Sequence, residues 1–270
     1  MNLSSKYFSP SAYIRKVRLI LARTLLNYGI PLRKTTKVDE YSITFKSTSF
    51  IEYFLRAEES YTREKVTMYW IRNYICSDDV VLDIGANVGA YSLLVGKKVS
   101  QGRGKVYAIE PEASNYSALN ENIRINSLSG VVIPFSIAFG DSRRVSKFFL
   151  ASVVPGSALH AIDRPESDGV EFVAQHVQGV LVNTLDSFLS DREIEFPNHI
   201  KIDVDGVERE IVANMKNTLM DTRLQTVMIE IETNLSAGVI EKTFASAGFH
   251  EVMREQMSNR SIYNVLYERS

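Results

Sequence analysis

Two groups of residues have the types and spacing to do chemistry. The first is Asp83-Ile-Gly-Ala-Asn-Val-Gly89, a carboxylate and a glycine turn closing an apolar run. Val80, Val81, Leu82 and Ile84 read as a buried parallel strand. Gly85 and Gly89 permit positive φ and close backbone approach to a ligand. Asp83 would be costly to bury unless it accepted hydrogen bonds or faced a cation, and a ligand carrying an ammonium group would satisfy it. The second group is Lys201-Ile-Asp-Val-Asp205. Strand alternation puts Lys201, Asp203 and Asp205 on one face, opposite Ile202 and Val204, and three charged side chains there demand partners. Glu208 adds a further carboxylate one turn onward.

The glycine spacing discriminates among nucleotides. A dinucleotide fingerprint requires Gly-x-Gly-x-x-Gly, whose second glycine lets a pyrophosphate lie against the helix start. Here Asn87 replaces that glycine, so NAD is disfavoured. No Gly-Lys-Ser/Thr triplet follows a strand, which removes a phosphate-binding P-loop. S-adenosylmethionine fits better, having an adenosine and a zwitterionic amino-acid tail but no phosphate. The next apolar run, Lys105-Val-Tyr-Ala-Ile109, ends at Glu110-Pro111, with Glu110 21 residues beyond Gly89. A carboxylate at that strand tip is placed to accept hydrogen bonds from ribose hydroxyls, and Pro111 suits a helix start.

At this point the sequence resembles the FkbM-type family of S-adenosylmethionine-dependent methyltransferases, which have the class I methyltransferase fold. The resemblance rests on Leu82 to Gly89, Ala108-Ile-Glu-Pro111, Thr184-Leu-Asp186 and Lys201 to Glu208, and spans about residues 60 to 268. The family more often has Glu where this chain has Asp205, so that carboxylate reaches less far. Donor contacts are accordingly assigned to Asp83, Gly85, Ala86, Asn87, Gly89, Glu110, Pro111 and Ala138. The resemblance implies a Rossmann-like α/β fold, a doubly wound, seven-stranded and mostly parallel sheet that ends in a C-terminal antiparallel hairpin.

Methyl transfer from a sulfonium to oxygen or nitrogen is an in-line displacement. Holding nucleophile, methyl and sulfur collinear can supply roughly 7 to 11 kcal/mol. A hydroxyl acceptor also loses a proton, which a nearby carboxylate or histidine can take. Asp203 is the first candidate to take that proton or orient the acceptor, with Lys201 neutralising it or polarising the oxygen and Asp205 beside them. A structural Lys–Asp pair supporting the strand end explains the same residues equally well. Glu230 and Glu232, at the end of the fifth strand, could face the acceptor pocket, but read more readily as solvated strand-end carboxylates. His160, a lone loop histidine, reads as polar surface more readily than as a general base. Asp186 is expected to cap the helix that begins beside it, and Cys76 to be packed as a small hydrophobe. Asp203, Asp205 and Glu208 could hold a hard cation, but nothing in the resemblance supports one, and no metal is assigned.

These groups need a scaffold, and the chain alternates accordingly. Strand 80–84 leads to helix 89–98, strand 105–109 to helix 112–126, and strand 131–137 to Ala138-Phe-Gly-Asp141. Strand 200–204, helix 207–216, strand 224–231 and helix 236–247 resume the pattern. Such alternation specifies a parallel sheet with right-handed crossovers. Residues 145–151 and 170–182 read as antiparallel strands within a β insertion (145–182) that shapes the acceptor pocket. Residues 251–254 and 261–267 form the closing hairpin around Asn259. Upstream, residues 62–75 read as a helix, which in the resembling family caps the cofactor cleft and would bring Glu59 and Tyr61 to the ligand; 41–45 read as a strand, and 50–55 as an aromatic stretch without assigned structure. The expected division is an appendage over 1–58 and the methyltransferase domain over 59–270.

Composition narrows the partners. The 270 residues carry 31 basic and 32 acidic side chains, without the positive excess that phosphate-backbone binding demands. The Asn/Asp-Pro-Pro-Tyr/Phe segment of base-amine methyltransferases is absent after strand 200–204. A nucleic-acid methyltransferase is therefore the runner-up, a small-molecule or glycan hydroxyl the leading acceptor, and an inert donor-binding partner of a biosynthetic assembly the third reading. A single cysteine allows no internal disulfide, and a cytoplasmic setting is most economical. Residues 13–28 alternate apolar and basic side chains in helical fashion. That helix is expected to pack on the domain or on a second subunit of a homodimer, and its basic face also suits peripheral contact with the inner face of a membrane.

Overall fold

A computed structural model describes residues 10–167, 170–191, 193–232, 237–257 and 261–270. The turn around Asn259 and the insertion residue Gly169 lie outside the described residues. Seven strands form the central sheet in the order Phe249–Gln256, Ile262–Arg269, Thr226–Glu232, His199–Ile202, Val80–Ile84, Lys105–Ile109, Val132–Phe135. Six run in one direction, and Ile262–Arg269 runs antiparallel to both of its neighbours. This is the doubly wound, mostly parallel sheet closed by an antiparallel hairpin that the β/α alternation predicts. The order reverses between Val80–Ile84 and its neighbours, so the carboxyl ends of Val80–Ile84 and His199–Ile202 open a crevice there.

Every residue of Val80–Ile84 and His199–Ile202 is buried, as apolar strands covered on both faces must be. One face packs Leu93, Leu94 and Val95 of helix Ala90–Val99 with Val66, Trp70 and Ile71 of helix Lys65–Asn73. The other packs Ile211, Val212, Leu219, Ile240 and Phe244.

The amino-terminal region is richer than its sequence reading. Helix Pro10–Asn27 seats Ala22 and Leu26 on Tyr53. The hairpin Leu32–Val38/Tyr41–Ser47 then sends Ile43 and Phe45 into the core against the central helices. The stretch left without assigned structure forms a π-helix, Ile51–Glu59, whose first turn is held by Glu52 accepting from the backbone N–H groups of Thr48 and Ser49.

The insertion makes a second sheet in which Arg144–Leu150 pairs antiparallel with His176–Asn183, and Ala138–Phe139 joins the latter in parallel. Phe148, Leu150, Val180 and Val182 give it a small core of its own. Two local expectations are corrected. Cys76 is exposed, in the turn beyond the helix end. Thr184, not Asp186, caps helix Leu185–Leu189. Asp186 instead accepts from the backbone N–H groups of Asn217 and Thr218 at 2.9 Å each, capping a helix distant in sequence.

Candidate active site

The glycine turn is built as its residue types require. Gly85 has φ +85°, and a Cβ there would lie 1.8 Å from the Asp203 carbonyl oxygen. Asn87 also adopts a left-handed conformation, φ 51°, which asparagine tolerates better than most residues. Its backbone N–H donates to Glu110 Oε2 at 2.8 Å, and the Glu112 N–H donates to Glu110 Oε1 at 2.9 Å. The Glu112 side chain caps helix Ala113–Ile125 by accepting from Ser114 and Asn115 N–H groups, so Pro111 sits just before the cap and not inside the helix. Burial pushes the Glu110 carboxyl up to about 8, against the two backbone donors, which favour its charge.

These residues line one cleft of about 770 Å³ including its open mouth. Gly85, Asn87, Glu110, Pro111, Ala138, Asp203 and Asp205 all face it. Ala86 and Gly89 do not: Ala86 is buried, and the Gly89 backbone turns with φ +95° where a Cβ would meet Leu119. Their contribution is the shape of the turn.

Asp83 also lies outside the lining, and the cation it demands is internal. Its carboxylate, 3% exposed, accepts from the Ser92 hydroxyl and stands 3.5 Å from Lys201 Nζ. Lys201 is 1% exposed, donates to Asp203 Oδ2 at 2.7 Å and lies 5.5 Å from the Tyr91 ring centroid. Burial would lower the Lys201 pKa, but Asp203, Asp83 and Glu64 outweigh it and hold it raised. Lys201 therefore neutralises the carboxylates under the cleft floor. Glu230 is not a solvated strand-end group: burial, with Asp203 and Glu64 nearby, pushes its carboxyl up to about 9. Only the first two members of Lys201, Asp203 and Asp205 meet, because the strand ends at Ile202 and the chain bends beyond it.

Asp205 turns toward the insertion. Its Oδ2 accepts from the backbone N–H groups of Leu159 and His160 at 2.6 and 3.0 Å. Asn87 Nδ2 and Asn115 Nδ2 both donate to the Ser157 carbonyl, at 2.8 and 3.2 Å, and Asn115 Oδ1 accepts from Gly156. Five hydrogen bonds thus tie loop 156–160 across the cleft as a roof. His160 is no surface histidine: it is 7% exposed, lines the cleft and packs edge-on against Phe148. Its Nδ1 has no hydrogen-bond partner among the described residues. Burial lowers its pKa, so the ring is neutral near pH 7. Asn115, Ser157 and Arg56, which also line the cleft, carry no local sequence signal. Beside the cleft, sharing Asp205 and Val207, lies a broader hollow edged by Arg144, Glu208, Arg209 and Glu232.

Comparison with known proteins identifies the family. The sequence model of the Methyltransferase FkbM domain matches residues 83–260. Among curated proteins, the chain is 25% identical over 170 residues to the hexuronic acid methyltransferase AglP of Haloferax volcanii, covering 63% of each chain. It is 23% identical over 164 residues to methyltransferase 1 of Beauveria bassiana, covering 57% of this chain and 65% of that protein. The chain thus spans less than two thirds of the length of these relatives. Among solved structures, methyltransferase FkbM from Methylobacillus flagellatus KT superposes with a TM-score of 0.52 at 16% identity, over 94% of this chain and 60% of that one; this likeness speaks to the fold.

Proposed function

The chain belongs to the FkbM methyltransferase family, and we propose that it is an S-adenosylmethionine-dependent methyltransferase acting on a hydroxyl of a sugar or other small molecule. The carrying observation is Glu110, buried at the tip of the second parallel strand with both oxygens already oriented by backbone donors from the glycine turn and the next helix. A carboxylate has about four acceptor positions, so two remain for ribose hydroxyls. In this reading Glu110 and Asn87 would hold the ribose, Pro111 and Ala138 would flank the adenine, and Gly85 and Asp203 would meet the amino-acid tail, all of them residues of the cleft lining. When bound, the donor supplies an electrophilic methyl group.

For the acceptor, we assign Asp203 to receive or orient the hydroxyl proton. Lys201 below donates to its Oδ2 at 2.7 Å, and Asp203 lines the cleft. His160, neutral and with an unpartnered ring nitrogen, is the second base candidate. The hollow beyond Asp205 is edged by carboxylates, Glu208 and Glu232 among them, with Arg144, Arg164 and Arg209 between, a polar lining suited to a polyhydroxylated acceptor. The similarity to a hexuronic acid methyltransferase supports a sugar acceptor.

Calorimetry with S-adenosylhomocysteine, followed by methyl transfer from labelled donor to glycan extracts and to bulk RNA, tests this reading. Micromolar binding lost in Glu110→Ala, with label entering glycans, is the expected result. Absence of binding would remove the donor assignment, and label entering RNA alone would promote the nucleic-acid reading.

We further propose a cytoplasmic setting in which the amino-terminal helix makes peripheral contact with the inner membrane face. No helix of the described residues is long and apolar enough to cross a membrane. Helix Pro10–Asn27 exposes Tyr13, Ile14, Val17, Ile20 and Leu21 among Lys16, Arg18 and Arg23, the composition of an interfacial helix. Flotation of the full chain with anionic vesicles that is lost on deletion of residues 1–30 is the expected result; no flotation of the full chain would defeat the membrane contact, and flotation that persists after the deletion would defeat the role of this helix in it.

A further inference from the structure

Arg56 is the one cationic side chain among the residues lining the cleft, where the other charged groups are Glu110, Asp203 and Asp205. It projects from the π-helix Ile51–Glu59, a rare wide-turned element often found at functional sites. The acidic residues of the same helix are engaged elsewhere. Glu58 pairs with Arg15, Arg18 and Lys34, and Glu59 with Arg15, while Glu52 holds the helix start. The Arg56 Nε–H donates to the Gly156 carbonyl of the roof at 2.9 Å. Its two terminal nitrogens have no partner among the described residues. Each cleft carboxylate, in contrast, is already held: Glu110 by two backbone donors, Asp203 by Lys201, Asp205 by the roof.

A guanidinium fixed through Nε presents its remaining N–H groups as a planar fork, which matches a carboxylate in a two-point hydrogen bond. Left unmatched, it would leave several strong donors partly desolvated at a cleft wall, a costly arrangement without a ligand. We propose that Arg56 is a carboxylate-binding residue of this cleft. Two sources carry that group: the α-carboxylate of the donor's amino-acid tail, or an acidic sugar as acceptor. The inference rests on the donor-binding reading above and adds the residue that distinguishes acidic from neutral ligands. Arg56 also ties recognition to closure, because the nitrogen that anchors the roof and the fork that meets the ligand share one rigid plane.

The test uses the full chain and Arg56→Gln, with thermal unfolding as the check of fold. S-adenosylhomocysteine is compared by calorimetry with S-adenosyl-3-thiopropylamine, which keeps the ammonium and lacks the carboxylate. If the donor supplies the carboxylate, the variant binds S-adenosylhomocysteine roughly tenfold to hundredfold more weakly, the scale of a charge-assisted pair, and the decarboxylated compound within about threefold of the wild type. If the acceptor supplies it, both nucleosides bind normally and the shifts caused by D-glucuronate, absent with D-glucose, in the NMR spectrum of the S-adenosylhomocysteine complex are lost in the variant. Equal weakening of both nucleosides, or no change in either arm, overturns the proposal. Should Arg56→Gln fail to fold, Arg56→Lys is read in the same arms: a selective loss supports the assignment and an equal loss defeats it. No S-adenosylhomocysteine binding by the wild type would instead remove the donor reading itself.

Discussion

The Asp205 carboxylate accepts the backbone N–H of His160 at 3.0 Å and, through the same oxygen, that of Leu159 at 2.6 Å. One side chain beyond the fourth parallel strand thereby holds the roof that carries His160 over the cleft. Charge-assisted hydrogen bonds of this kind contribute about 1.5 to 3 kcal/mol each. Asp205→Ala is expected to weaken S-adenosylhomocysteine binding by tenfold or more and to open loop 156–160 to limited proteolysis, with a smaller effect on overall unfolding. Wild-type affinity and wild-type cleavage together would show that the roof does not depend on this contact.

The raised Glu110 carboxyl couples stability to pH. Its folded pKa of about 8 lies above the ordinary value of 4.5, so the folded protein binds the proton more tightly than the unfolded chain. The associated stability is fully present below about pH 4.5 and is lost as pH rises to 8, with a slope of at most about 1.4 kcal/mol per pH unit. Glu230 acts with the same sign up to about 9, so the informative quantity is the difference between wild type and Glu110→Gln. The variant should show a visibly flatter fall of Tm from pH 5 to 8. Binding should follow the opposite trend, because ribose hydroxyls donate to the ionised form: wild-type affinity for S-adenosylhomocysteine rises toward pH 8. Parallel Tm curves for the two proteins would contradict this linkage.

Gly85 and Gly130 separate crowding from backbone strain. Both have positive φ, +85° and +82°, but a Cβ on Gly85 would collide with the Asp203 carbonyl oxygen at 1.8 Å, whereas nothing lies within 4 Å of the corresponding position on Gly130. Gly130→Ala should cost about 1 kcal/mol, the ordinary left-handed penalty. Gly85→Ala must also push two central strands apart, and should cost about 3 kcal/mol or more with loss of nucleoside binding. Comparable denaturation midpoints for the two variants would mean that the turn yields more easily than its packing indicates.

Lys201 should behave as a buried counter-ion. Lys201→Met leaves Asp83, 3% exposed, and Asp203 without their cation, and removal of one partner from a buried pair costs about 3 to 5 kcal/mol. Adding Asp83→Asn removes one of the stranded charges and should recover 1 kcal/mol or more on the scale of such compensations. Urea unfolding of the three variants gives the cycle directly. Strict additivity would show that Lys201 does not act on Asp83.

The sequence by itself determined the donor half of this site. The strand Val80–Ile84, the turn at Gly85 and Gly89, and Glu110 at the next strand tip are each specified by neighbours within a few residues, because strand burial, positive φ and helix starts are local requirements. The closing hairpin and the β/α alternation were legible for the same reason. What only the tertiary structure decided is what encloses the cleft and which charges serve it. Asn87 meets Ser157, Asp205 meets His160 and Arg56 meets Gly156 across 70, 45 and 100 residues of chain, and no local pattern records such pairings. Asp83 and Lys201 show the same division: the sequence demanded a cation for Asp83, but either a ligand or the chain could answer. Parallel register, which sets Lys201 beside Asp83 on adjoining strands, settled it in favour of the chain.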